Sequence, residues 1–258
     1  MFINNFDPVA FNIFFIEIRW YSLSYIFGII FAWLYCKNFL IRDTKISFLF
    51  DNLLTYLIIG IILGGRLGYI FFYNFKYYME NLLEIFMIWQ GGMSFHGGLI
   101  GLILATIIFS KKNDINKYKF LDLVSLSAPI GIFLGRIANF LNSELIGKET
   151  SLPWAVIFER IDDLPRHPSQ IYEAIFEGIL LFLILNIFCK KYLSKSPGLV
   201  SSLFIIFYSI FRFCIEFTRM PDFQIGYLFL GLTMGQILSI LFFIFGLTLL
   251  FKKKHEPY

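Results

Sequence analysis

Long apolar stretches separated by short polar ones restrict the fold of this chain more than any other feature. A helix needs about 20 apolar residues to cross the hydrocarbon layer of a bilayer, because each residue advances it by about 1.5 Å. We predict seven spans, at about 20–36, 53–72, 93–109, 121–141, 171–189, 199–217 and 227–251. Only 16% of the residues are charged. The prediction is an all-α, polytopic transmembrane helix bundle that forms one integral-membrane domain over residues 1–258.

Clusters of lysine and arginine indicate which side of the membrane each loop faces. Of the 22 lysines and arginines, 13 lie in four segments, at 37–45, 111–119, 190–195 and 252–254. Basic loops beside spans stay in the cytoplasm, and seven spans put all four segments on the same side. We therefore predict an outside N-terminus, a cytoplasmic C-terminus and a small outer-face segment at 142–170.

Charged and amide side chains near the outer ends of the predicted spans are the most informative residues. A charge at bilayer depth costs at least about 2.5 kcal/mol on insertion scales, so such side chains are expected to have a function. The stretch Gly135–Gly147 brings a guanidinium, two amides and a carboxylate to the end of span four. The polar residues of this group are Glu17, Arg19, Tyr21, Arg66, His96, Arg136, Asn139, Asn142, Glu144, Glu173, Glu177, Arg212, Glu216 and Arg219.

Three of these residues, Arg66, Arg136 and Arg212, indicate recognition of an anion. A guanidinium binds a phosphate through two parallel hydrogen bonds, and a lipid headgroup is the phosphate most available at this depth. We therefore predict that all three contribute to substrate binding. His96 is flanked by glycines that let a ligand approach, and its imidazole can take or give a proton near neutral pH.

Structural roles remain open for several of the same side chains. Arg212 and Glu216 are four residues apart and can form an ion pair along one helix. Glu177 is interpreted as a solvated or paired helix residue. Arg19 and Arg219 are either functional groups or interfacial anchors.

Glycine spacing in span two predicts how that helix packs. Gly60, Gly64 and Gly68 recur at every fourth position, so they lie on one face of the helix. Small residues on one face let a second helix approach closely. We predict that span two packs tightly against another span.

The sequence does not support cofactor or nucleic-acid functions. It contains no nucleotide-binding loop, metalloprotease motif or serine-hydrolase motif, and its three cysteines lack metal-ligand spacing. We therefore predict no metal and no cofactor. The basic residues fall in small groups between spans, so we also predict no nucleic-acid partner.

The polar segment at 135–147 reads Gly-Arg-Ile-Ala-Asn-Phe-Leu-Asn-Ser-Glu-Leu-Ile-Gly. It resembles the signature of the prolipoprotein diacylglyceryl transferase family at each defining position. Segments that resemble the family elsewhere occur in the same order, at Ile18–Tyr21, Gly64–Tyr69, Gly91–Gly101, His167–Glu173 and Arg212–Asp222. Ser22 stands where the family usually has glycine, and the outer stretch 148–166 is short compared with many members.

The resemblance implies a reaction. The diacylglyceryl group of phosphatidylglycerol would be transferred to the lipobox cysteine thiol of a prolipoprotein, which forms a thioether and releases glycerol 1-phosphate. His96 would act as the base, Arg136 would bind phosphatidylglycerol, and Arg212 would stabilise the phosphate in the transition state. The residues that would shape or orient the site are Tyr21, Asn139, Glu144, Gly147, Glu173 and Glu216.

The resemblance also implies a location and partners. The protein would be a multi-pass protein of the bacterial plasma (inner) membrane, with its active site near the outer, periplasmic face. Its partners would be phosphatidylglycerol, the lipobox of the prolipoprotein signal peptide and membrane lipid. The alternative is a transporter or channel for an anionic solute, because intramembrane arginines also suit that function. Transporters commonly have two matched halves with broken helices, and the sequence shows no such repeat.

Overall fold

The computed structural model of the chain describes residues 2–14, 16–88, 91–193, 195–221 and 225–255. The chain divides into two units. The first unit comprises Met1–Leu40, Asp122–Pro221 and Tyr227–Tyr258, and the second comprises Ile41–Leu121 and Asp222–Gly226.

The described part of the chain is mostly helical. The helices are α1 (Trp20–Tyr35), α2 (Thr44–Tyr73), α3 (Phe75–Glu80), α4 (Phe95–Lys112), α5 (Lys117–Leu141), α6 (Ser169–Tyr192), α7 (Leu199–Ile215) and α8 (Met234–His255). A π-helical turn, Cys36–Leu40, continues α1, and two π-helical segments, Ala174–Leu180 and Ile184–Cys189, interrupt α6. Short 3₁₀ turns occur at Leu82–Phe86 and Phe229–Gly231.

Six helices within the described residues are long and apolar enough to cross a membrane. They coincide with six of the seven predicted spans. The remaining prediction, span 199–217, corresponds to α7, which is apolar but has 17 residues. Helix α2 begins well before the predicted residue 53, because the Asp43 carboxylate accepts hydrogen bonds from the N–H groups of Lys45 and Ile46 and so caps the helix.

Short strands correct the all-α prediction. A three-stranded sheet has the order β1 (Phe2–Asn4), β4 (Val156–Phe158), β5 (Pro165–Arg166), with β1 parallel and β5 antiparallel to β4. A separate antiparallel hairpin pairs β2 (Val9–Ile13) with β3 (Ile16–Arg19). Backbone outside the helices needs hydrogen-bond partners, and these strands supply them. Because each strand has only two to five residues, apolar spans dominate the sequence pattern and hide them.

The N-terminal strand is joined to the end of α5. The buried Asn4 donates from Nδ2 to the carbonyl oxygen of Phe140 at 2.6 Å. Residue Phe140 lies in the last turn of α5. The hydrogen bond therefore ties the three-stranded sheet to the C-terminal end of α5, which lies within the polar segment at 135–147.

A carboxylate fixes α7 against α5 at the end remote from the polar segment. Asp122 is fully buried, and its oxygens accept hydrogen bonds from the N–H of Gly198 at 2.6 Å and of Ser201 at 2.8 Å. These N–H groups belong to the first turn of α7, which has no intrahelical partners for them. The contact sets the position of α7 along the axis of α5. It therefore also sets where the side chains of α7 lie along that axis.

In the second unit, the glycine prediction is confirmed. A Cβ on Gly64 would lie 2.7 Å from the Cα of Gly101, and one on Gly68 would lie 2.6 Å from the Cα of Gly97. Real Cβ atoms do not approach backbone so closely. Helices α2 and α4 therefore pack backbone to backbone along this face.

Candidate active site

A buried cluster of six charged side chains lies in the first unit. We call it the ionic cluster, and its members are Arg136 on α5, Glu173 and Glu177 on α6, Arg212 on α7, and Glu216 and Arg219 just after α7. The largest exposed fraction among them is 8%, at Arg136. Three helices therefore bring together residues that are up to 83 positions apart in the sequence.

Glu173 lies at the centre of the ionic cluster. Its Oε2 is 3.0 Å from Nη1 of Arg136, and its Oε1 accepts a hydrogen bond from Nη1 of Arg212. Nη1 of Arg219 lies 3.8 Å from the same Oε1. One carboxylate thus contacts three guanidinium groups.

The other two glutamates flank this centre. Glu177 follows Glu173 by one helical turn and accepts a hydrogen bond from Nη2 of Arg136 at 3.1 Å. Glu216 lies 2.6 Å from Nη2 of Arg212 and accepts a hydrogen bond from the Thr233 hydroxyl at 3.0 Å. Glu216 and Glu173 therefore hold different nitrogens of the Arg212 guanidinium.

Stability alone is a poor explanation for the ionic cluster. Taking ions out of water costs several kcal/mol per ion, and replacing buried ion pairs with packed apolar residues is often neutral or stabilising. The cluster does orient two guanidinium groups, those of Arg136 and Arg212, around a shared carboxylate. Such preoriented donors are suited to stabilising negative charge in a site that excludes water.

Glu144 lies in the turn that follows α5. Its carboxylate accepts hydrogen bonds from Nδ2 of Asn139 at 2.8 Å and of Asn142 at 3.1 Å. Nε2 of Gln170, at the start of α6, donates to the Glu144 carbonyl oxygen at 2.5 Å. Residue Glu144 itself is exposed. The two amides of the polar segment therefore hold an accessible carboxylate at the end of α5.

Gly147 is buried where three backbone segments meet. It pairs with Arg219 in an antiparallel bridge, and its carbonyl oxygen accepts a hydrogen bond from Nη1 of Arg166 at 3.2 Å. A Cβ at this position would collide with the His167 backbone oxygen and would lie 2.6 Å from the His167 Cβ. Only glycine fits between these segments, and the fit positions the backbone of Arg219.

Tyr21 lies in the first turn of α1. Its hydroxyl is 3.1 Å from the Tyr25 hydroxyl, and the two rings meet edge to face. Tyr21 also interacts electrostatically with Glu144 and Arg136. This predicted site residue therefore belongs with the polar segment in the first unit.

His96 and Arg66 belong to the second unit. His96 is buried in the first turn of α4, two residues after the N-cap residue Ser94, whose Oγ accepts a hydrogen bond from the Gly97 N–H at 3.2 Å. The Ser94 N–H in turn donates to the Gly65 carbonyl oxygen at 2.9 Å. Backbone of α2 therefore fixes the helix start that carries His96.

Arg66 is in a different environment from the one that the sequence predicts. The guanidinium donates to carbonyl oxygens of Glu84, Ile85, Met87, Gly91 and Gly92 at distances of 2.5 to 3.3 Å. A guanidinium has five N–H donors, so these contacts occupy all of them. Arg66 thus anchors the backbone at residues 84, 85, 87, 91 and 92, and its binding of a phosphate stays a prediction.

The sequence assigned no specific role to two members of the ionic cluster, Glu177 and Arg219. Glu177 is interpreted from the sequence as either solvated or paired. It is buried and paired, and Arg136 is a partner. Arg219 is buried with the glutamates and is not an interfacial anchor. The sequence signal for both was spacing, since Glu177 is four residues after Glu173, and Arg219 is seven after Arg212.

The described residues contain no group of three or more His, Cys, Asp or Glu side chains that could hold a metal ion. The glutamates of the ionic cluster are each contacted by arginine. Arginine therefore supplies the positive charge in this site.

Comparison with known proteins identifies relatives over almost the whole chain. A family model described as prolipoprotein diacylglyceryl transferase matches residues 8–252. A phosphatidylglycerol–prolipoprotein diacylglyceryl transferase of Wolbachia pipientis wMel is 49% identical over 245 residues, which cover 93% of this chain and 92% of the relative. Proteins of the same name from Ehrlichia ruminantium (strain Welgevonden) and Azospirillum brasilense are 47% and 44% identical, over 95% and 97% of this chain and 96% of each relative.

Proposed function

The chain belongs to the prolipoprotein diacylglyceryl transferase family, and on this premise we propose that it transfers the diacylglyceryl group of phosphatidylglycerol to the lipobox cysteine of prolipoproteins. The products are a thioether-linked lipoprotein precursor and glycerol 1-phosphate. The observation that carries the proposal is the pair of guanidinium groups, those of Arg136 and Arg212, held on one buried carboxylate. The relatives are transferases, so the alternative of an anion transporter or channel is not favoured.

The reaction requires a nucleophile and a stabilised leaving group. The cysteine sulfur attacks the glyceryl carbon that carries the phosphate, a carbon–sulfur bond forms, and the bond from that carbon to the phosphate oxygen breaks. A thiol must lose its proton to become a good nucleophile, and we assign its acceptance to His96. The departing phosphate monoester carries more negative charge than the diester it leaves, and Arg136 and Arg212 are the cations suited to stabilise it.

The remaining site residues position these groups. Asn139 and Asn142 hold the Glu144 carboxylate, which is exposed and can accept a hydrogen bond from a hydroxyl of the headgroup glycerol. Glu173 and Glu216 hold the two arginines, while Gly147 sets the backbone of Arg219. We assign Tyr21, at the start of α1, to the same headgroup region.

The membrane arrangement is part of the proposal. Helix α7 has 17 residues and is about 25 Å long, so with its flanking turns it can serve as the seventh span. Seven spans place the N-terminus outside, the C-terminus in the cytoplasm and the residues 142–170 on the outer face. The enzyme then works in the bacterial plasma membrane, where a secreted prolipoprotein and an outer-leaflet lipid both reach the site.

Mass spectrometry of a lipobox peptide tests the function. The purified protein is incubated with phosphatidylglycerol and a synthetic peptide that contains one lipobox cysteine. We expect a mass gain of one diacylglyceryl group on that cysteine and an equal amount of released glycerol phosphate. A peptide with serine in place of the cysteine is the control and should gain nothing. Absence of the mass gain with the cysteine peptide would reject the proposed function.

A further inference from the structure

The ionic cluster contains equal numbers of arginines and glutamates. With all six side chains ionised, its net charge is zero. A net charge in a buried, low-dielectric site is costly, which favours this balance. A phosphodiester headgroup brings one further negative charge. If the function proposed above is correct, the site must therefore gain a positive charge, or lose a negative one, whenever phosphatidylglycerol binds.

Glu177 is the glutamate that the cluster holds most weakly. Glu173 contacts three guanidinium groups, and Glu216 contacts Arg212 at 2.6 Å while accepting a hydrogen bond from Thr233. Glu177 makes its shortest arginine contact at 3.1 Å, where its Oε2 accepts a hydrogen bond from Arg136. Its Oε1 is buried, accepts no hydrogen bond from any described residue, and lies 3.7 Å from Nη1 of Arg212.

The groups around Glu177 make its charge depend on the two arginines. Arg136 faces it from α5, Arg212 and Tyr208 face it from α7, and Glu173 faces it from its own helix. The two arginines stabilise the charged carboxylate, while Glu173 repels it. If a phosphate pairs with Arg136 and Arg212, the charged Glu177 carboxylate loses their stabilisation. The repulsion from Glu173 and the cost of burial then favour its protonated form.

The backbone at Glu177 is also unusual. Residue Glu177 lies inside the π-helical segment Ala174–Leu180. Such segments are rare and occur frequently at functional sites. The segment leaves Glu177 on the same side of α6 as Glu173, although Glu173 alone already bridges both arginines.

We propose that Glu177 is an internal counter-ion that the phosphate of phosphatidylglycerol replaces, and that Glu177 takes up one proton when the phosphate binds. The proposal rests on the proposed function and adds a step to it. Without the lipid, the charged Glu177 helps to neutralise Arg136 and Arg212. With the phosphate bound, Glu177 is neutral and can donate a hydrogen bond, so the total charge of the site stays at zero.

Calorimetry measures the proton directly. Short-chain phosphatidylglycerol is titrated into the detergent-solubilised full chain at one pH, in two buffers with different ionisation enthalpies. We expect the wild type to take up about one proton for each lipid bound, because binding and proton uptake are linked. Glu177→Gln should bind the lipid at least as tightly with no proton uptake, since the amide is already neutral. Glu159→Gln, which changes an exposed glutamate, is the matched control and should behave as the wild type.

The dependence of affinity on pH gives a second measurement that needs no variant. In the pH range where Glu177 is charged before binding and protonated after it, the wild-type dissociation constant for phosphatidylglycerol should rise about tenfold for each unit by which the pH is raised. Infrared difference spectra should show a protonated carboxyl band when phosphatidylglycerol is added. These wild-type measurements keep the proposal falsifiable even if Glu177→Gln does not fold, because an affinity that does not change with pH and the absence of the carboxyl band would reject it.

The outcomes separate this proposal from the function on which it rests. If the wild type transfers diacylglyceryl to the peptide but binds phosphatidylglycerol without proton uptake, the role of Glu177 is rejected and the transferase stands. If Glu177→Gln takes up a proton as the wild type does, the proton goes elsewhere and the proposal is also rejected. If the wild type neither binds the lipid nor modifies the peptide, the proposed function fails and this step fails with it.

Discussion

Nη1 of Arg136 lies 3.0 Å from Oε2 of Glu173, and this ion pair joins α5 to α6 inside the ionic cluster. The second nitrogen of the same guanidinium contacts Glu177, one turn further along α6. Arg136 therefore needs a planar group with two separated donors. A single ammonium at this position could face one carboxylate but not both.

Arg136→Lys tests this requirement for a fork of donors. We expect the rate of diacylglyceryl transfer to fall at least about 100-fold, the loss that follows removal of one preoriented donor in other enzymes. The measurement is the peptide mass assay with phosphatidylglycerol in excess. Arg160→Lys is the control, since Arg160 is partly exposed and its ion pair with Asp7 is long, at 3.9 Å. A rate for Arg136→Lys close to that of the control would contradict the assignment.

Gly147→Ala should disable the protein through its backbone. The new methyl group would collide with the carbonyl of His167, so the bridge from Gly147 to Arg219 would have to shift. We expect reduced transfer and a lower melting temperature. Gly135→Ala is the matched control, because the Cβ it would add has no described atom within 4 Å apart from its chain neighbours and the adjoining backbone of its own helix. Equal behaviour of the two variants would show that close packing at Gly147 is unimportant.

The positions of the charged groups could be predicted only in part from the sequence. Spacing placed Glu173 with Glu177 on one helix face, and Arg212 with Glu216 on another. Spacing says nothing about which helices are neighbours. The contacts from Arg136 to both glutamates of α6, which define the ionic cluster, therefore required the three-dimensional structure.

Arg66 shows a different limit of sequence interpretation. An arginine in a span is costly, so the sequence marked Arg66 as a functional side chain and predicted a phosphate as its partner. Nothing in the sequence pointed to the backbone carbonyls that the guanidinium contacts. Backbone carbonyls carry no signature in side-chain chemistry, and those of Glu84, Ile85 and Gly91 accept hydrogen bonds from the guanidinium. The short strands were missed for a similar reason, because their pairing is made by backbone groups.

Gly64→Ala should destabilise the second unit. The added Cβ would lie 2.7 Å from the Cα of Gly101, so α2 and α4 would have to separate. Overpacking of this kind costs about 1–3 kcal/mol. Thermal unfolding in detergent measures the effect. Gly98→Ala is the control on the same helix pair, because its Cβ would meet the Ile61 carbonyl oxygen at 3.6 Å, an ordinary contact. An unchanged melting temperature for Gly64→Ala would contradict the backbone packing.

His167 should make stability depend on pH. Burial, and to a smaller extent the positive charge of Lys148, lower the pKa of His167 below its ordinary value. The folded state then binds the proton less readily than the unfolded state, so stability is lost as pH falls below about 6.5, the ordinary pKa of histidine. His167→Gln should lose less stability than the wild type between about pH 7 and pH 5. Thermal unfolding at both pH values checks this, and an identical loss in the two proteins would refute it.

His96→Gln separates the base from the rest of the enzyme. His96 lies in the first turn of α4, where the Ser94 cap and the Gly65 carbonyl fix the helix start, so the imidazole has a defined position. Glutamine keeps a polar group there but cannot accept the thiol proton. If His96 is the base, kcat should fall about 100-fold or more, while the KM for phosphatidylglycerol stays nearly constant. His167→Gln, assayed near neutral pH, is the matched control and should keep its kcat. A near-normal kcat for His96→Gln would remove His96 as the base and leave the transferase in place, with proton acceptance passing to another group in the first unit.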